Sequence, residues 1–539
     1  MSKTMDFNVE ARRKLKDGIN ALAEAVIITL GPKGRTVIFE KPTGEPQVCN
    51  DGVTVAKQVE LDDPVEDLGA KMLRQVAVKT SETAGDGTTT ATLFAQAMIN
   101  IGLKHIEAGV NPMEVRKGIQ KAVKTVVDEM KKMSVTVGDD ISKIEQVATI
   151  SANNDADIGK LIADAISKAG KESVITIEEA KGMETTIEVV KGMRFDRGYL
   201  SPYFITDPEK LEVTLENPFI LLHDKKIASI KDILPLLEKV TTTSTPLLII
   251  AEEIETDVLA TLVVNNLRGV LKIAGVKAPG FGDHRKELLQ DMAVLTGGTV
   301  IAEEQGYKLE NTELDKLGHC EKVIITKENT TIVNGKGDKE EIQNRIKQLK
   351  AEIEKITSSY DKEKLQERLA KLTGGVAIVY VGAATEVELV EKKDRVDDAL
   401  NATRAASEEG IIAGGGVTYL RALPALDKLE AENNEVQIGI SIVKRALEEP
   451  LRQIVLNAGL DANEILHRVK AGAKDFGFNA KNEQYENLFT TGIIDPTKVG
   501  RLALENAASV AMMMLTTECV IAKKRSKEKE EVSVIPAIG

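Results

Sequence analysis

The sequence predicts a multidomain protein of the α + α/β class, and three observations support this prediction. The chain has 539 residues, which is too long for a single hydrophobic core and predicts about three or four domains. Helical patterns dominate both ends of the chain, whereas short β-rich runs alternate with helical patterns in the middle. We therefore expect an α-rich domain built from both ends, with an α/β domain inserted between them.

The first element predicted is a helix with one apolar face. Its apolar residues recur three or four positions apart, as one face of an α-helix requires. They are Leu15, Ile19, Leu22 and Val26. This helix ends in the segment 29–34, because Gly31, Pro32 and Gly34 do not continue a helix. Helical patterns return from about 64 to 133 and are interrupted at 84–90.

Two short β runs are expected between these helices. The first, RTVIFE, occupies 35–40, and the second, VTVAKQV, occupies 53–59. Both contain several β-branched residues, which favour strands. A turn at Asn50-Asp51-Gly52 precedes the second run.

The middle of the chain predicts an α/β domain with a partly parallel sheet. Its β-rich runs are SVITIEE, TTIEVV, PFILLHD, PLLIIAEE, LKIAGVKAP, GGTVIAEE and EKVIITKENTTIVNG. A charged segment follows, in which two helices are predicted to form a hairpin. The apolar positions of this hairpin are Ile342, Ile346, Leu349, Ile353 and Ile356, followed by Leu365, Leu369 and Leu372. From about 385 the chain is predicted to be mainly helical, and its last residues read as a solvated tail.

Composition argues against nucleic-acid and membrane partners. Lys and Arg number 71 against 84 Asp and Glu, which gives a net charge of −13, and the chain has no Trp. No apolar run approaches the ~20 residues of a membrane span. The three cysteines, Cys49, Cys320 and Cys519, are scattered, which fits a reducing compartment. The start of the chain has no apolar signal segment, so we expect a cytoplasmic protein.

Two Gly- and Thr-containing loops are candidate phosphate sites. In segment 29–34, glycines allow backbone N–H groups to approach an anion, and Lys33 would add charge. In segment 86–90, the threonines open a helix whose first N–H groups attract phosphate oxygens, and Asp86 would hold a Mg²⁺ ion. The alternative is that Asp86 and the threonines only cap a helix, because neither loop has the P-loop sequence.

Other catalytic signals are weak in the sequence alone. Asp51 lies in a turn and Asp398 on a helical run, and spacing does not select either as a catalytic acid or base. The five histidines have no metal-ligand spacing, and no GxSxG motif is present.

Two central helical segments carry more apolar residues than one buried face needs. The first segment contains Ile233, Leu234, Leu236, Leu237 and Val240, and the second contains Val258, Leu259, Leu262, Val263, Val264 and Leu267. Either both helices are deeply buried, or part of each face is exposed for a partner. Composition alone favours burial.

Seven motifs together resemble the group I chaperonins, the bacterial GroEL type of about 60 kDa. They are TLGPKGR, AGDGTTTATLFAQAM, DRGYLSPYF, VKAPGFGDHRK, LQERLAKLTGGVA, DDALNATRAASEEGIIAGGG and DPTKVGRLALENAASVA, and the similarity runs from about residue 5 to 522. The resemblance implies the chaperonin fold, with an α-helical equatorial domain, a small intermediate α/β domain and an apical α/β domain. The implied boundaries are equatorial 1–133 and 410–522, intermediate 134–190 and 375–409, apical substrate-binding domain 191–374, and flexible tail 523–539.

The resemblance also implies an ATPase that hydrolyses ATP to ADP and phosphate, with ATP and Mg²⁺ as cofactors and K⁺ as an optional further ion. The residues expected to bind ATP are Thr29, Leu30, Gly31, Pro32, Asn50, Asp86, Gly87, Thr88, Thr89, Thr90, Gly415, Asn479, Ala480, Lys481 and Asp495. Asp86 would ligate Mg²⁺, Asp398 would orient the attacking water, and Asp51 would assist near the γ-phosphate.

The implied function is an ATP-dependent chaperone that captures non-native polypeptides on an apolar rim and encloses them under a 10 kDa GroES-type co-chaperonin. The oligomer expected is two stacked seven-membered rings. The rim residues expected are Tyr199, Tyr203, Phe204, Leu234, Leu237, Leu259, Val263 and Val264. With this resemblance, exposure replaces burial as the expectation for the two apolar helices. Gly192 and Gly375 are the expected hinges.

The sequence departs from the family pattern at three places, and family properties that depend on the residues missing there are not expected of this chain. Asn50 stands where many members have lysine, Thr136 replaces a proline at the lower hinge, and the tail lacks Gly-Gly-Met repeats. Two other classes of function fit the sequence less well. A small-molecule kinase would need a compact acceptor pocket, and a purely structural protein has no need for both phosphate loops together with Asp86 and Asp398.

Overall fold

The structure is a computed structural model. It describes residues 3–40, 44, 46–138, 140–169, 174–180, 182–208, 210–355, 364–365, 368–369, 371–373 and 375–523. The chain divides into two compact units. One combines Met1–Ala163 with Ala383–Gly539, and the other is Asp164–Gly382. The unit that combines both ends is called the end unit below, and the other is called the central unit. The boundaries of three separate domains stay a prediction.

The end unit is mainly helical, as the sequence predicts. Its helices are Asn8–Ile27, Gly52–Gln58, Pro64–Ala84, Thr88–Glu107, Pro112–Met133, Ile141–Ser151, Ala156–Ala169 (which crosses into the central unit), Glu386–Glu409, Val417–Asp427, Asn434–Ala446, Glu449–Asn457, Ala462–Ala471 and Thr497–Leu515. Leu15, Ile19, Leu22 and Val26 are buried, so the first predicted helical face is confirmed. One hydrophobic core joins residues from both ends of the chain.

A close helix crossing explains how the two ends of the chain pack together. At Gly118 of the helix Pro112–Met133, an added Cβ would lie 2.1 Å from the carbonyl oxygen of Val436. At Gly439 of the helix Asn434–Ala446, an added Cβ would lie 2.2 Å from the carbonyl oxygen of Val115. Because neither contact tolerates a side chain, glycine at both positions allows the two backbones to approach.

Four small antiparallel sheets complete the described part of the end unit. They pair Lys3–Phe7 with Cys519–Lys523, Val37–Glu40 with Pro46–Cys49, Ile411–Ala413 with Ile494–Pro496, and Phe476–Asn479 with Gln484–Asn487. The first and third pairs join sequence-distant strands, and the first ties the N-terminus to the C-terminal region. The predicted tail lies outside the described residues except for Lys523.

One predicted strand is wrong: the run 53–59 lies in the helix Gly52–Gln58, which ends one residue before the run does. Asp51 is the N-cap of this helix, and its carboxylate accepts hydrogen bonds from Val53 N (3.3 Å) and Thr54 N (2.9 Å). This cap stabilises the first helical turn and outweighs the β preference of the valines. The strand that pairs with Val37–Glu40 is Pro46–Cys49 instead.

The central unit is an α/β structure around a ten-stranded sheet in the described part of the chain. The main strand order is Ile273–Lys277, Leu247–Ala251, Phe219–His223, Gly318–Ile325, Thr330–Gly335, Thr186–Phe195, Gly375–Val381 and Val174–Glu179, with Val300–Ile301 beside Phe219–His223 and Val213–Glu216 beside Gly318–Ile325. Lys226–Ile227 and Glu253–Ile254 form a separate pair. Because the strands pair both parallel and antiparallel, the prediction of a partly parallel sheet is confirmed.

The described helices of the central unit are Ile230–Thr243, Thr256–Leu267, Gly282–Thr296 and Lys339–Lys355, with short 3₁₀ turns at Pro202–Phe204, Glu303–Gln305, Leu309–Asn311 and Leu314–Lys316. The first helix of the predicted hairpin is confirmed as Lys339–Lys355. Much of the second falls outside the described residues, but Leu365 and Leu372 are buried in the core of this unit. Among the described residues, no helix combines the length and the apolar character needed to cross a membrane.

Candidate functional site

The loop 85–87 connects two long helices of the end unit. The helix Pro64–Ala84 ends at Gly85 (φ +73°), and Gly87 (φ +81°) is the N-cap of the helix Thr88–Glu107. Gly87 has no side chain to accept from the first N–H groups of this helix. The Asp86 carboxylate accepts a hydrogen bond from Gly87 N and interacts with Ser151. Asp86 is therefore not the cap of this helix, and the helix N-terminus is suited to an anion.

The second candidate loop follows the helix Asn8–Ile27 and packs against the first. The Thr29 hydroxyl donates to Val26 O (2.9 Å) and lies 3.4 Å from the Thr89 hydroxyl. Gly31 has φ +86°, and an added Cβ there would lie 3.2 Å from the Ile454 side chain. Lys33 pairs with Glu483 and lines neither of the two cavities described below, so its contribution to a phosphate site stays a prediction.

An acidic cavity of about 110 Å³ lies where these loops meet. Its lining residues are Thr29, Leu30, Gly31, Asn50, Asp51, Gly52, Asp86, Gly87, Thr88, Thr89, Thr90, Ser151, Asn153 and Asp398. The structure thus brings the predicted Asp86 of the 85–87 loop together with two acidic residues that spacing did not select. These are Asp51, from a helix cap, and Asp398, from the helix Glu386–Glu409. Asp51 is both a capping residue and a wall of this cavity.

Burial and nearby negative charge raise the proton affinity of two of these carboxyls, Asp86 and Asp398. They face the cavity and are partly accessible, but protein surrounds them. Burial, followed by the charges of Asp86 and Asp51, raises the pKa of Asp398 well above its ordinary value. Burial also raises the pKa of Asp86, although its hydrogen bond from Gly87 N opposes this. A cation placed between these carboxyls would offset both costs.

A second cavity of about 210 Å³ is here called the apolar cavity. The residues that it shares with the acidic cavity are Leu30, Gly31, Asp86, Gly87, Thr90, Ser151 and Asn153. Its other walls include the predicted Pro32, Gly415, Asn479, Ala480 and Asp495, together with Ile150, Pro450, Ile454, Phe478, Ile493 and Tyr419. Burial, followed by the charge of Asp86, raises the pKa of Asp495 to about 7. The predicted Lys481 is exposed and does not line this cavity; its N–H donates to Asn479 Oδ1 (3.0 Å).

None of the described residues that line the two cavities is Lys, Arg or His. In the described part of the chain, no group of three or more His, Cys, Asp or Glu is arranged to hold a metal by itself. Asp86 nevertheless suits Mg²⁺, which usually takes one or two carboxylates and completes its coordination with phosphate and water. A Mg²⁺ ion here would therefore depend on the bound phosphate.

Sequence reasoning missed several residues that build these cavities. Ser151 and Asn153 line both, and Ile150, Ile454, Ile493 and Tyr419 form apolar walls. Asn457 lies outside the lining, but its Nδ2 donates to Ile27 O and Leu30 O, both at 2.9 Å, and so holds the 29–31 loop. No local sequence pattern marks these positions, because their partners are distant in the sequence or the residues are ordinary apolar side chains.

The predicted apolar rim is only partly exposed. Tyr203, Leu234 and Val264 are exposed at 65%, 45% and 43%. Tyr199, Leu259 and Val263 are half-buried and pack against the core of the central unit. The exposure expected of Phe204 and Leu237 is wrong: they are 0% and 8% exposed, because both side chains pack into that core. Leu267 and Val270 are exposed neighbours that the sequence prediction of the rim did not include.

The two predicted hinge glycines both lie in strands of the central sheet. Gly192 is within Thr186–Phe195, and Gly375 begins Gly375–Val381. An added Cβ at Gly192 would lie 2.3 Å from Val376 Cγ2, so glycine is needed there for close packing. Their role as hinges stays a prediction.

An acidic cavity at a helix N-terminus, continuous in its lining with an apolar cavity, is the arrangement expected of a nucleotide-dependent protein. A model of the TCP-1/cpn60 chaperonin family matches residues 22–525, and the chain therefore belongs to this family. The family has a role in protein folding, acts on polypeptide substrates and forms ring oligomers. Its members are generally ATPases.

Proposed function

We propose that this chaperonin is of group I and binds and hydrolyses ATP in the acidic and apolar cavities. The observation that carries the proposal is the meeting of Asp51, Asp86 and Asp398, from three separate segments, beside the N-terminus of the helix Thr88–Glu107. Phosphoryl transfer to water requires a positioned water molecule and compensation of phosphate charge, and these groups are suited to both tasks.

Each part of the acidic cavity has a distinct task in this proposal. The N–H groups of Thr88, Thr89 and Thr90 bind phosphate oxygens at the helix N-terminus. Asp86 holds Mg²⁺, which when bound compensates phosphate charge, and K⁺ is an optional second cation. Asp398 orients the attacking water and accepts its proton, for which a raised pKa makes the ionised carboxylate a stronger base. Asp51 assists at the γ-phosphate.

The apolar cavity takes the nucleoside. Ile150, Ile454 and Ile493 offer apolar surface to the base. Asn479 and Ala480 line the same cavity beside them, and Asp495 is suited to accept hydrogen bonds from ribose hydroxyls. Lys481 and Asn50 were also expected to bind ATP; Asn50 keeps this proposed role at the acidic cavity, and Lys481 does not.

The substrates are non-native polypeptides, captured on the exposed and half-buried part of the rim. Tyr203, Leu234 and Val264 supply the most exposed surface. Apolar burial has no directional requirement, so such a surface binds many sequences. In the same proposal a 10 kDa GroES-type co-chaperonin binds this rim and closes a cavity in one of two stacked seven-membered rings. The three cysteines are free thiols, which fits a cytoplasmic location.

The decisive test of the ATPase proposal is Asp398→Ala. We expect the variant to bind ATP as the wild type does and to lose turnover by roughly 10²-fold or more, because the water is no longer positioned. ATP binding by calorimetry and phosphate release measure the two properties separately. Asp397→Ala removes the neighbouring carboxylate, which lines neither cavity, and is the matched control. Undiminished turnover in Asp398→Ala would contradict the proposal.

The proposed assembly is tested by native mass spectrometry. Fourteen copies of a 58.4 kDa chain give about 820 kDa. A single ring would give about half of this mass and would contradict the double-ring part alone.

A further inference from the structure

Arg421 makes a cluster of hydrogen bonds that the proposed ATPase reaction does not use. It lies in the helix Val417–Asp427, whose N-cap is Gly416. Its Nε donates to Lys474 O (2.6 Å), and its Nη2 donates to Phe476 O (2.7 Å) and Val469 O (3.0 Å). One guanidinium therefore joins the helix that follows the Gly414–Gly416 loop to a sequence-distant segment.

That segment leads directly to the apolar cavity. Val469 lies in the last turn of the helix Ala462–Ala471, and Phe476 begins the strand Phe476–Asn479. Phe478, Asn479 and Ala480 line the apolar cavity, as do Gly415 and Gly416 at the other end of the arginine's connection. Arg421 itself lines neither cavity. Its influence on a ligand is therefore indirect and passes through these walls.

The turn that Arg421 holds is conformationally strained. Lys474 has φ +51°, a left-handed backbone conformation that residues other than glycine and asparagine rarely adopt. The carbonyl of this residue receives the shortest of the three hydrogen bonds. Arginine suits the position because its planar fork presents several fixed donors, whereas the ammonium of lysine is a single point of charge.

The cost of partly burying the guanidinium is also visible. Burial lowers the pKa of Arg421, and the nearby Asp475 opposes this change. Val469 O belongs to the C-terminal end of its helix, where the helix dipole favours a cation. Three carbonyl dipoles, one of them at a helix end, thus stabilise the guanidinium charge, and none of these three hydrogen-bond acceptors is a carboxylate.

We propose that Arg421 is a positioning residue for nucleotide binding, which fixes Phe478, Asn479 and Ala480 at the wall of the apolar cavity by holding the turn at Lys474. The inference rests on the proposed function. It adds to that function a residue that touches neither ATP nor the acidic cavity. Because Asp51, Asp86 and Asp398 are carried by other segments, the effect is expected on nucleotide affinity and not on the chemical step.

The test measures kcat and KM for ATP in Arg421→Gln and Arg421→Lys, together with direct ATP binding. In both variants KM is expected to rise roughly tenfold, the scale of one lost charge-assisted hydrogen bond, with kcat within about twofold of wild type. Arg445→Gln, at an exposed arginine of the same unit, is the matched control and is expected to change neither constant. If Arg421→Gln does not fold, Arg421→Lys decides the question by the same criteria.

A general structural role predicts a different result. Loss of folded protein lowers kcat and the unfolding temperature and leaves KM unchanged, and this outcome would overturn the inference. Lys474→Gly in the Arg421→Gln background supplies a further check, because glycine adopts the left-handed conformation without strain. The double variant is expected to recover more than half of the lost affinity for ATP. No recovery would overturn the inference that Arg421 acts by holding the turn at Lys474.

The outcomes also separate this inference from the proposed function. Wild-type protein that does not bind ATP would overturn both. Wild-type protein that binds ATP, with KM unchanged in both Arg421 variants, would overturn only the role of Arg421.

Discussion

The cavities of the end unit and the apolar helices of the central unit represent two opposite ways of building a binding surface. The cavities gather polar groups and glycines from distant segments and hold each in a defined place, as the Asp51 cap and the Thr29–Thr89 contact illustrate. The helices Ile230–Thr243 and Thr256–Leu267 instead leave aliphatic side chains half-exposed above a packed core. The first arrangement suits one ligand of fixed charge, whereas the second suits ligands that share only apolar character.

Within the apolar surface, some residues are buried and support the surface from below, whereas their neighbours are exposed and available to contact a ligand. Phe204 is fully buried, whereas the adjacent Tyr203 is 65% exposed. The same division separates Leu237 from Leu234 on one helix. Substitutions therefore distinguish residues that hold the surface from residues that form it.

The largest effect is expected from Phe204→Ala, which removes a supporting side chain. Loss of a fully buried phenyl group should lower the free energy of unfolding by about 3–5 kcal/mol. Thermal unfolding measures this loss, and Tyr203→Ala is the neighbouring control, for which we expect less than about 1 kcal/mol. Equal losses in the two variants would remove the distinction between support and contact.

The second-largest effect expected is a change of folding stability with pH, caused by Asp495 in the apolar cavity. The pKa of Asp495 is about 7 in the folded protein against an ordinary 3.8, so the folded state holds this proton more tightly than the unfolded chain. The carboxyl therefore disfavours folding increasingly from about pH 4 to pH 7, and to a constant extent above that.

Asp495→Asn removes this titration, so its stability gain over wild type should be larger at pH 8 than at pH 5 by about 3 kcal/mol. Unfolding at both pH values without nucleotide measures the difference. Asp427→Asn, at an exposed carboxylate, is the control. A gain that is the same at pH 5 and pH 8 would contradict the raised pKa.

A smaller effect is expected at the contact residues of the rim. Leu234→Ser and Val264→Ser should each weaken capture of a denatured protein by about 1 kcal/mol, or roughly fivefold, while basal ATP turnover is unchanged. Suppression of aggregation of a denatured test protein measures capture. Met183→Ser changes an exposed apolar residue of the same unit outside these helices and should have no effect. Unaffected capture in both rim variants would show that substrates bind elsewhere.

The smallest effect is expected from Asn50→Lys. Asn50 lines the acidic cavity and its Nδ2 lies 3.4 Å from Glu391 Oε1, within a lining that has no basic residue among those described. A cation there should tighten ATP binding roughly two- to fivefold, and the gain should shrink as salt is added. Asn50→Gln keeps the position neutral, and an equal gain in that variant would rule out a charge effect.

Several features could be predicted because they depend on neighbouring residues. The apolar face from Leu15 to Val26 and the β-rich central runs each form the expected element, since side-chain period directly selects helix or strand. The strand predicted for 53–59 is wrong because one capping side chain, Asp51, outweighs the β preference of the residues that follow it. A cap also depends on neighbouring residues, but a prediction from residue preferences alone does not include its hydrogen bonds.

The amino-acid sequence by itself determined the class of fold, the insertion of an α/β region between helical ends, and the family. Only the tertiary structure decided that Asp51, Asp86 and Asp398 share one cavity, that Phe204 and Leu237 are buried, and that Lys33 and Lys481 lie outside the cavity walls. The physical reason is the separation along the chain of the residues that interact. Periodicity and capping act over a few residues, whereas a cavity wall or a buried side chain depends on packing between segments that are far apart in the chain.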